Sequence, residues 1–171
     1  MKTKTLVIGA LLAVIAAFFQ VMPVLFSEAF IFITILSTIP IFIVCRINPK
    51  AGVLSYIVAS ILVLLISTHE GLLFLSTNGV IGVTLGVCRY YTIKRTSIIL
   101  SSSITLTITL SIMNYGLGIP VLGKTLPGGI ITQLVIFFLF SLIYNYIYYY
   151  FLEYIVRNLK KTNVFIDTNR N

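Results

Sequence analysis

The sequence predicts an all-α integral membrane protein with six transmembrane helices. Of its 171 residues, 58% are hydrophobic and only 9% are charged, and the mean hydropathy is +1.08. A soluble domain carries about 25% charged residues because its surface faces water, so a soluble globule is excluded. Disordered chains are polar and rich in charge, so disorder is excluded for the opposite reason. The apolar residues fall into six long runs, which is typical of a multi-pass membrane protein.

Each apolar run is assigned to one helix. Crossing a hydrocarbon core about 30 Å thick takes roughly 20 apolar residues, and somewhat shorter runs are tolerated. The first run closes before Pro23, and Pro40 predicts a kink in the second because proline removes a helical hydrogen bond. One domain is predicted over residues 1–161, followed by a polar cytoplasmic tail over residues 162–171. The predicted spans are residues 5–20, 29–45, 51–68, 71–91, 97–114 and 129–156.

The first run has two interpretations, a signal peptide and a retained helix. Lys2 and Lys4 precede the apolar residues, as in a signal peptide. Phe18, Phe19 and Gln20, however, stand where a cleavage site needs small residues, and five further spans follow. The run is therefore predicted to be a retained membrane helix.

Lysine and arginine are distributed unevenly between the loops. If the N-terminus is cytoplasmic, eleven of the twelve basic residues lie in cytoplasmic segments and only Lys124 lies outside. Because short loops rich in lysine and arginine stay cytoplasmic, the protein is predicted to lie in a cell membrane with both termini on the cytoplasmic side. The net charge of +8 also suits nucleic-acid binding. The basic residues form no stripe or patch, however, so no nucleic-acid partner is predicted.

Small residues recur at helical spacing in two of the spans. Gly9, Ala13 and Ala17 are four residues apart in the first span, and Gly82 and Gly86 form a GxxxG motif in the fourth. Small residues let helix backbones approach closely in lipid. For the first-span stripe two interpretations stay open: packing within this bundle, or docking of a partner membrane protein.

Polar residues collect near the helix ends that this topology places outside. Polar groups are costly in lipid and mark functional cavities, so an outward-facing pocket is predicted there. Contact of the outer loops with water is the alternative explanation for the charged candidates. The tyrosines of the sixth span, within residues 144–154, are expected to form an aromatic belt at the interface. The pocket candidates are Glu28, His69, Glu70, Asn78, Asn114, Tyr115 and Gln133.

The sequence does not provide the sites that several classes of enzyme and metal-binding protein require. A Gly-x-x-x-x-Gly-Lys-Thr pattern occurs once, at Gly118–Thr125, but it falls in the loop between the fifth and sixth predicted spans and lacks the preceding strand of a phosphate-binding loop. There is no Gly-x-Ser-x-Gly elbow. No span holds paired carboxylates, and the one histidine, His69, has no metal-ligand spacing around it. Cys45 and Cys88 each precede an arginine at a cytoplasmic helix end, where thiols stay reduced. The chain is therefore predicted to be no enzyme, with no metal and no cofactor.

The six spans and the Ala-x-x-x-Ala motif at Ala13 and Ala17 resemble the substrate-binding S components of energy-coupling factor (ECF) transporters. Those are small, apolar, six-helix proteins with cytoplasmic termini, and their outward-facing site takes a vitamin or another micronutrient. The resemblance covers residues 5–161. Residues 74–79 and 82–86 are also similar to uncharacterised bacterial membrane proteins with six to eight helices.

The resemblance implies a substrate-capture subunit of an importer. Its first-span stripe docks a transmembrane T component, and two ATP-binding subunits supply the energy. The amides and Tyr115 among the candidates hydrogen-bond a small-molecule substrate, while Glu28, His69 and Glu70 supply charge or a lid. Two carboxylates near the pocket mouth favour a cationic or zwitterionic substrate. The alternatives are a small membrane scaffold without a ligand, and a membrane enzyme or sensor.

Overall fold

The computed structural model describes residues 3–91, 94–119 and 129–161, the side chains of residues 159–161 excepted. Every regular element within these ranges is helical. Six helical stretches are long and apolar enough to cross a membrane, which confirms the predicted six-span architecture. The last helix continues beyond its apolar part to Lys161. We call them the first to sixth spans: Thr3–Leu25, Glu28–Ile47, Pro49–Ile66, Thr68–Tyr90, Arg95–Gly116 and Ile130–Asn158.

The first span is longer than predicted. It runs through Pro23 to Leu25 instead of closing near residue 20. Pro23 lies in the last turn of the helix, and it leaves one carbonyl of the preceding turn, that of Phe19, without an amide donor from residue 23. The amide of Phe26 still donates to the Met22 carbonyl at 3.0 Å. As a result Gln20 lies within the helix and is buried rather than standing at its end.

The second span is built from two kinds of helix. Glu28–Ser37 is a 3-10 helix and Thr38–Ile47 is an α-helix, so the helix type changes two residues before Pro40. Runs of 3-10 helix longer than three or four residues are uncommon. Because a 3-10 helix rises about 2.0 Å per residue and an α-helix about 1.5 Å, this span reaches about 35 Å. The tighter half also rotates its side chains differently from an α-helix.

Two further spans depart from regular α-helix. The fourth is interrupted at Thr77, whose backbone φ of −124° and ψ of −91° separate Thr68–Ser76 from Asn78–Tyr90. The fifth is α-helical over Arg95–Ser111 and ends in a π-helical turn at Ile112–Gly116. π-helical turns occur frequently at functional sites. The irregular parts of the second and fourth spans lie side by side.

The GxxxG motif of the fourth span packs against the second span. A Cβ atom at Gly82 would lie 2.9 Å from the Thr38 carbonyl oxygen, and one at Gly86 would lie 2.8 Å from that of Phe42. These positions have no room for a side chain. The contacts advance along both helices in the same order, so the two spans run parallel.

The stripe of small residues on the first span faces the third span. Ser55 Oγ donates to the Gly9 carbonyl at 3.0 Å. Ala13 and Ala59 are fully buried in one apolar cluster, and Ala17 is 5% exposed in another. In this structure the stripe therefore packs within the bundle. Docking of a partner on the same residues stays a prediction, and it requires the two spans to part.

The sixth span lies at the edge of the bundle, mainly against the fifth. Ser103 Oγ donates to the Ser141 carbonyl at 3.2 Å. Ser102 Oγ donates to Asn145 Oδ1 at 2.6 Å, and Asn145 is fully buried. The opposite face is apolar and uncovered, with Ile131 80% exposed. That face is available to lipid or to a partner helix.

Consecutive spans run in opposite directions, so their ends form two groups. Gly71 packs on Leu64 across the turn between the third and fourth spans, which is the geometry of a helical hairpin. One group, the first-loop end, holds Leu25, Glu28 and Thr68. The other is the arginine end, where all seven basic side chains described by the structure lie: Lys4, Arg46, Lys50, Arg89, Lys94, Arg95 and Arg157. Lys124 and the predicted tail at residues 162–171 fall outside the described ranges.

Candidate binding cavity

A buried amide connects three spans through hydrogen bonds. Gln20, 1% exposed, donates from Nε2 to Glu70 Oε2 at 2.8 Å. Its Oε1 atom accepts from Ser37 Oγ at 3.0 Å and from Asn78 Nδ2 at 3.1 Å. We call these four residues the Gln20 network. Because the side chains come from the first, second and fourth spans, the network fixes how those helices are rotated about their axes.

Asn78 extends the network along the second span. Its Nδ2 atom also donates to the Thr34 carbonyl at 3.0 Å, and Thr38 Oγ1 donates to the Asn78 carbonyl at 3.1 Å. The hydroxyl of Tyr144 lies 3.5 Å from Asn78 Oδ1. The interruption at Thr77 makes Asn78 the first residue of a new helical segment. Both the side chain and the carbonyl of Asn78 thereby bond to the second span.

A cavity of about 230 Å³ lies beside the network, in the half of the bundle nearer the first-loop end. Its volume is below the roughly 300–1,000 Å³ of pockets for drug-sized ligands. Leu106, Leu110 and Phe140 of the fifth and sixth spans form an apolar wall. The polar side consists of Gln20, Thr34, Glu70, Thr77, Asn78 and Tyr144. This two-sided lining suits a small molecule with one polar and one apolar part.

The charge of the cavity is set by one residue. Glu70 is 8% exposed and lines the cavity, and no basic residue within the described ranges does. An ionised carboxylate offers about four acceptor positions, and among the described residues the Glu70 carboxylate accepts one hydrogen bond, from Gln20. The cavity therefore presents acceptor capacity and a negative charge to whatever enters it.

The structure separates the predicted candidates into groups. Glu70 and Asn78 come together in the cavity, joined through Gln20. Tyr115 donates to Gln133 Oε1 at 2.6 Å, and this pair lies nearer the end of the bundle, outside the cavity lining.

The other three candidates do not reach the cavity either. Glu28 and His69 are exposed, and Asn114 is half-buried in the π-helical turn. None of these three lines the cavity. Glu28 lies in the first turn of the second span, next to its capping residue Ser27. A shared pocket for all seven candidates is thus absent from the described part of the chain.

Sequence reasoning missed several cavity and network residues. Thr34, Ser37 and Thr38 follow the i, i+3, i+4 spacing of one helical face, so a polar stripe within an apolar run was the available signal. Gln20 was placed at a helix end because the first span was predicted to close before Pro23. The available signal for Gln20 was its amide side chain in an otherwise apolar segment.

The aromatic belt expected on the sixth span is correct for only part of the tyrosines. Tyr146, Tyr150 and Tyr154 are exposed, as a belt requires. Tyr148 is 4% exposed and donates to the Ile35 carbonyl, and Tyr144 lines the cavity. The belt prediction is wrong for Tyr144 and Tyr148 because residues four apart occupy one face of the helix, and this face is turned toward the bundle interior.

Comparison of the chain with models of protein families, with curated proteins and with solved structures finds no match. The chemistry of the site therefore rests on its own residues. Amides, hydroxyls and one carboxylate recognise ligands by hydrogen bonds and charge. Among the described residues, no three His, Cys, Asp or Glu side chains are grouped so as to hold a metal ion.

Proposed function

We propose that this protein is a membrane-embedded substrate-capture subunit, and that its cavity binds a small molecule bearing an ammonium or a similar hydrogen-bond donor. The observation that carries the proposal is Glu70, a buried carboxylate that lines the cavity and accepts one hydrogen bond from the described residues, that of Gln20. Ionisable groups inside a membrane are costly and are retained where they contact a substrate or an ion. A ligand donor group would meet that carboxylate.

The rest of the lining supports a ligand with two distinct sides. Its donor group would lie against Glu70, and further polar atoms would reach Thr77 and Tyr144. Its apolar part would lie against Leu110 and Phe140. A charge-assisted hydrogen bond is roughly twice as strong as a neutral one. The Glu70 contact would therefore dominate selectivity, and anionic molecules would be rejected.

We further propose that the first-loop end faces the outside and that both termini are cytoplasmic. Support comes from the arginine end, which holds all the basic side chains that the structure describes. Segments rich in lysine and arginine remain on the cytoplasmic side. The protein would then lie in a cell membrane and take its substrate from outside.

Release of the substrate inside would be driven by a partner complex of the ECF kind, with a transmembrane T component and two ATP-binding subunits. The resemblance in span number and in the Ala13/Ala17 motif supports this assignment. Because Ala13 is fully buried against the bundle, substituting it disturbs packing and docking alike. Leu11 and Val14 are 61% and 56% exposed on the same helix. Their substitution by tryptophan tests docking while leaving the internal packing intact.

The decisive experiment is native mass spectrometry of the protein purified in mild detergent, followed by equilibrium binding of any retained small molecule. Glu70→Gln keeps the size of the side chain and one carbonyl acceptor for Gln20, so the fold is expected to survive. We expect this variant to bind at least tenfold more weakly than the parent chain. Glu28→Gln is the matched control, since Glu28 is exposed and lies outside the cavity lining. Absence of saturable binding to the parent chain rejects the proposal.

A membrane scaffold without a ligand is the second candidate. The uncovered apolar face of the sixth span favours it, with Ile131, Ile143 and Ile147 each more than 60% exposed. Such a face suits packing against another membrane helix. Cross-linking from Ile143→Cys in native membranes discriminates the two: a protein adduct together with no retained small molecule supports the scaffold.

A further inference from the structure

A second cavity, of about 380 Å³, lies at the arginine end. Its walls come from the end of the fourth span, the start of the fifth and the last turns of the sixth. Three arginines line it, Arg89, Arg95 and Arg157, together with Glu153 and tyrosines of the sixth span. None of these residues belongs to the Gln20 network or to the first cavity. The two cavities are separate sites.

The positive charge around this cavity exceeds what the described residues neutralise. Glu153 Oε1 accepts from Arg89 Nε at 2.7 Å and lies 3.6 Å from Arg46 Nη1. One carboxylate therefore serves two guanidinium groups. Arg95 and Arg157 form no ion pair with any residue that the structure describes. Four arginines and one glutamate leave a formal excess of three positive charges.

A second observation points in the same direction. The Nη1 atom of Arg46 is buried and makes no hydrogen bond within the described residues. Leaving a buried donor unsatisfied is unfavourable, more so when the group is charged. Arg46 does not line the cavity itself, but its Nη1 atom lies 3.6 Å from the same Glu153 oxygen that Arg89 contacts. An anion that drew Arg89 toward the cavity would leave Glu153 free to pair with Arg46.

The backbone adds to the positive potential. The fifth span begins at Arg95, and no side chain caps its N-terminus. The first amides of an α-helix are unsatisfied and carry partial positive charge, which favours anions. Because Arg95 itself lines the cavity, this helix end lies beside the three guanidinium groups.

We propose that this cavity binds a phosphate group, either that of an anionic lipid headgroup or that of a free phosphate compound. Guanidinium groups bind phosphate oxygens through paired hydrogen bonds. Tyr150 and Tyr154 are exposed beside the cavity, at the level where tyrosine meets lipid headgroups. Basic pockets between membrane helices are known sites for phosphate-bearing headgroups. The site would tie the ends of three spans together through one anion.

The test uses the full chain in a neutral detergent, with two probes added separately: a short-chain phosphatidylglycerol and inorganic phosphate. Native mass spectrometry measures the bound fraction of each. The test variant is Arg95→Gln/Arg157→Gln, which removes two charges that have no ion-pair partner within the described ranges. The control, Lys4→Gln/Lys50→Gln, removes the same charge from the same end of the bundle without touching the cavity.

We expect the parent chain and the control to bind phosphatidylglycerol alike, and the test variant to bind it roughly thirtyfold more weakly, since each arginine near a membrane surface contributes on the order of fivefold. Binding of inorganic phosphate that is weakened in the test variant but not in the control identifies a free phosphate compound as the ligand, and binding of phosphatidylglycerol alone identifies a lipid headgroup. Binding of neither probe overturns the proposal. Equal weakening in test variant and control also overturns it, because general charge attraction then explains the result.

Discussion

The two ends of this bundle treat charge in opposite ways. Toward the first-loop end, a single carboxylate, Glu70, is held by an amide that bonds two further side chains. At the arginine end, one carboxylate, Glu153, contacts two guanidinium groups, and two further arginines line the cavity without an ion-pair partner among the described residues. The polar groups of the first region are joined by hydrogen bonds and carry a negative charge, whereas the second region carries positive charge that the described residues do not neutralise.

Depth in the membrane explains the difference. Buried polar groups within the bundle have no water to bond with, so they must bond to one another or to a ligand. Groups at a helix end reach the interface, where water and headgroups solvate surplus charge. The sign of the unneutralised charge at each end, rather than the number of polar residues there, therefore indicates the kind of ligand.

The largest effect is expected from Gln20→Leu. The substitution removes three hydrogen bonds and leaves Glu70 and Asn78 buried without their partner. Each unsatisfied buried group costs about 1–3 kcal/mol, so we expect the free energy of unfolding to fall by about 3 kcal/mol or more. Circular dichroism during heating in detergent micelles measures it. The matched control is Gln133→Leu, the same change at a half-buried position outside the network, where about 1 kcal/mol is expected. Equal losses would contradict a special role for Gln20.

The second-largest effect is expected where the fourth span packs against the second span. Gly82→Ala forces its new methyl group against the Thr38 carbonyl, and Gly86→Ala against that of Phe42. Each costs about 1–3 kcal/mol through overpacking. Gly86 also packs on fully buried Cys45, so only its variant should speed maleimide labelling of Cys45 in a Cys88→Ser background. Equal labelling rates in the two variants would show that the interface moves as one unit.

A smaller effect is expected at the arginine end. Arg89→Gln removes the 2.7 Å ion pair with Glu153 and should lower the free energy of unfolding by about 1 kcal/mol at low salt. The Debye length falls to about 3 Å in 1 M salt, so the difference from the parent chain should shrink there. Arg157→Gln, which removes no ion pair, serves as the control. A loss from Arg89→Gln that does not depend on salt would indicate packing rather than charge.

The smallest effect is expected from Glu28→Gln and His69→Ala. Both residues are exposed and lie outside the cavity lining, so each change should alter the free energy of unfolding by less than about 0.5 kcal/mol. Binding of a retained small molecule should stay within twofold of the parent chain. Weaker binding in either variant would show that the cavity extends into the loops at the first-loop end.

The amino-acid sequence by itself determined the number of spans and the asymmetry of the basic residues. Hydropathy and charge add up along the chain, so both can be summed without knowing how the helices pack. It also indicated Asn78 as a candidate, since an amide in an apolar segment stands out whatever the rotation of its helix, whereas Glu70 was predicted to lie in an outer loop and the structure places it inside the fourth span.

Only the tertiary structure decided which polar groups meet. Gln20 lies 50 residues from Glu70 and 58 from Asn78 along the chain, and the inward turn of Tyr144 has no local signature. The 3-10 helix at Glu28–Ser37 adds a further cause. It turns about 120° per residue against about 100° in an α-helix, a divergence of about 200° over ten residues. Relative to the start of the span, Thr34 and Ser37 therefore point in directions that an α-helix would not give them.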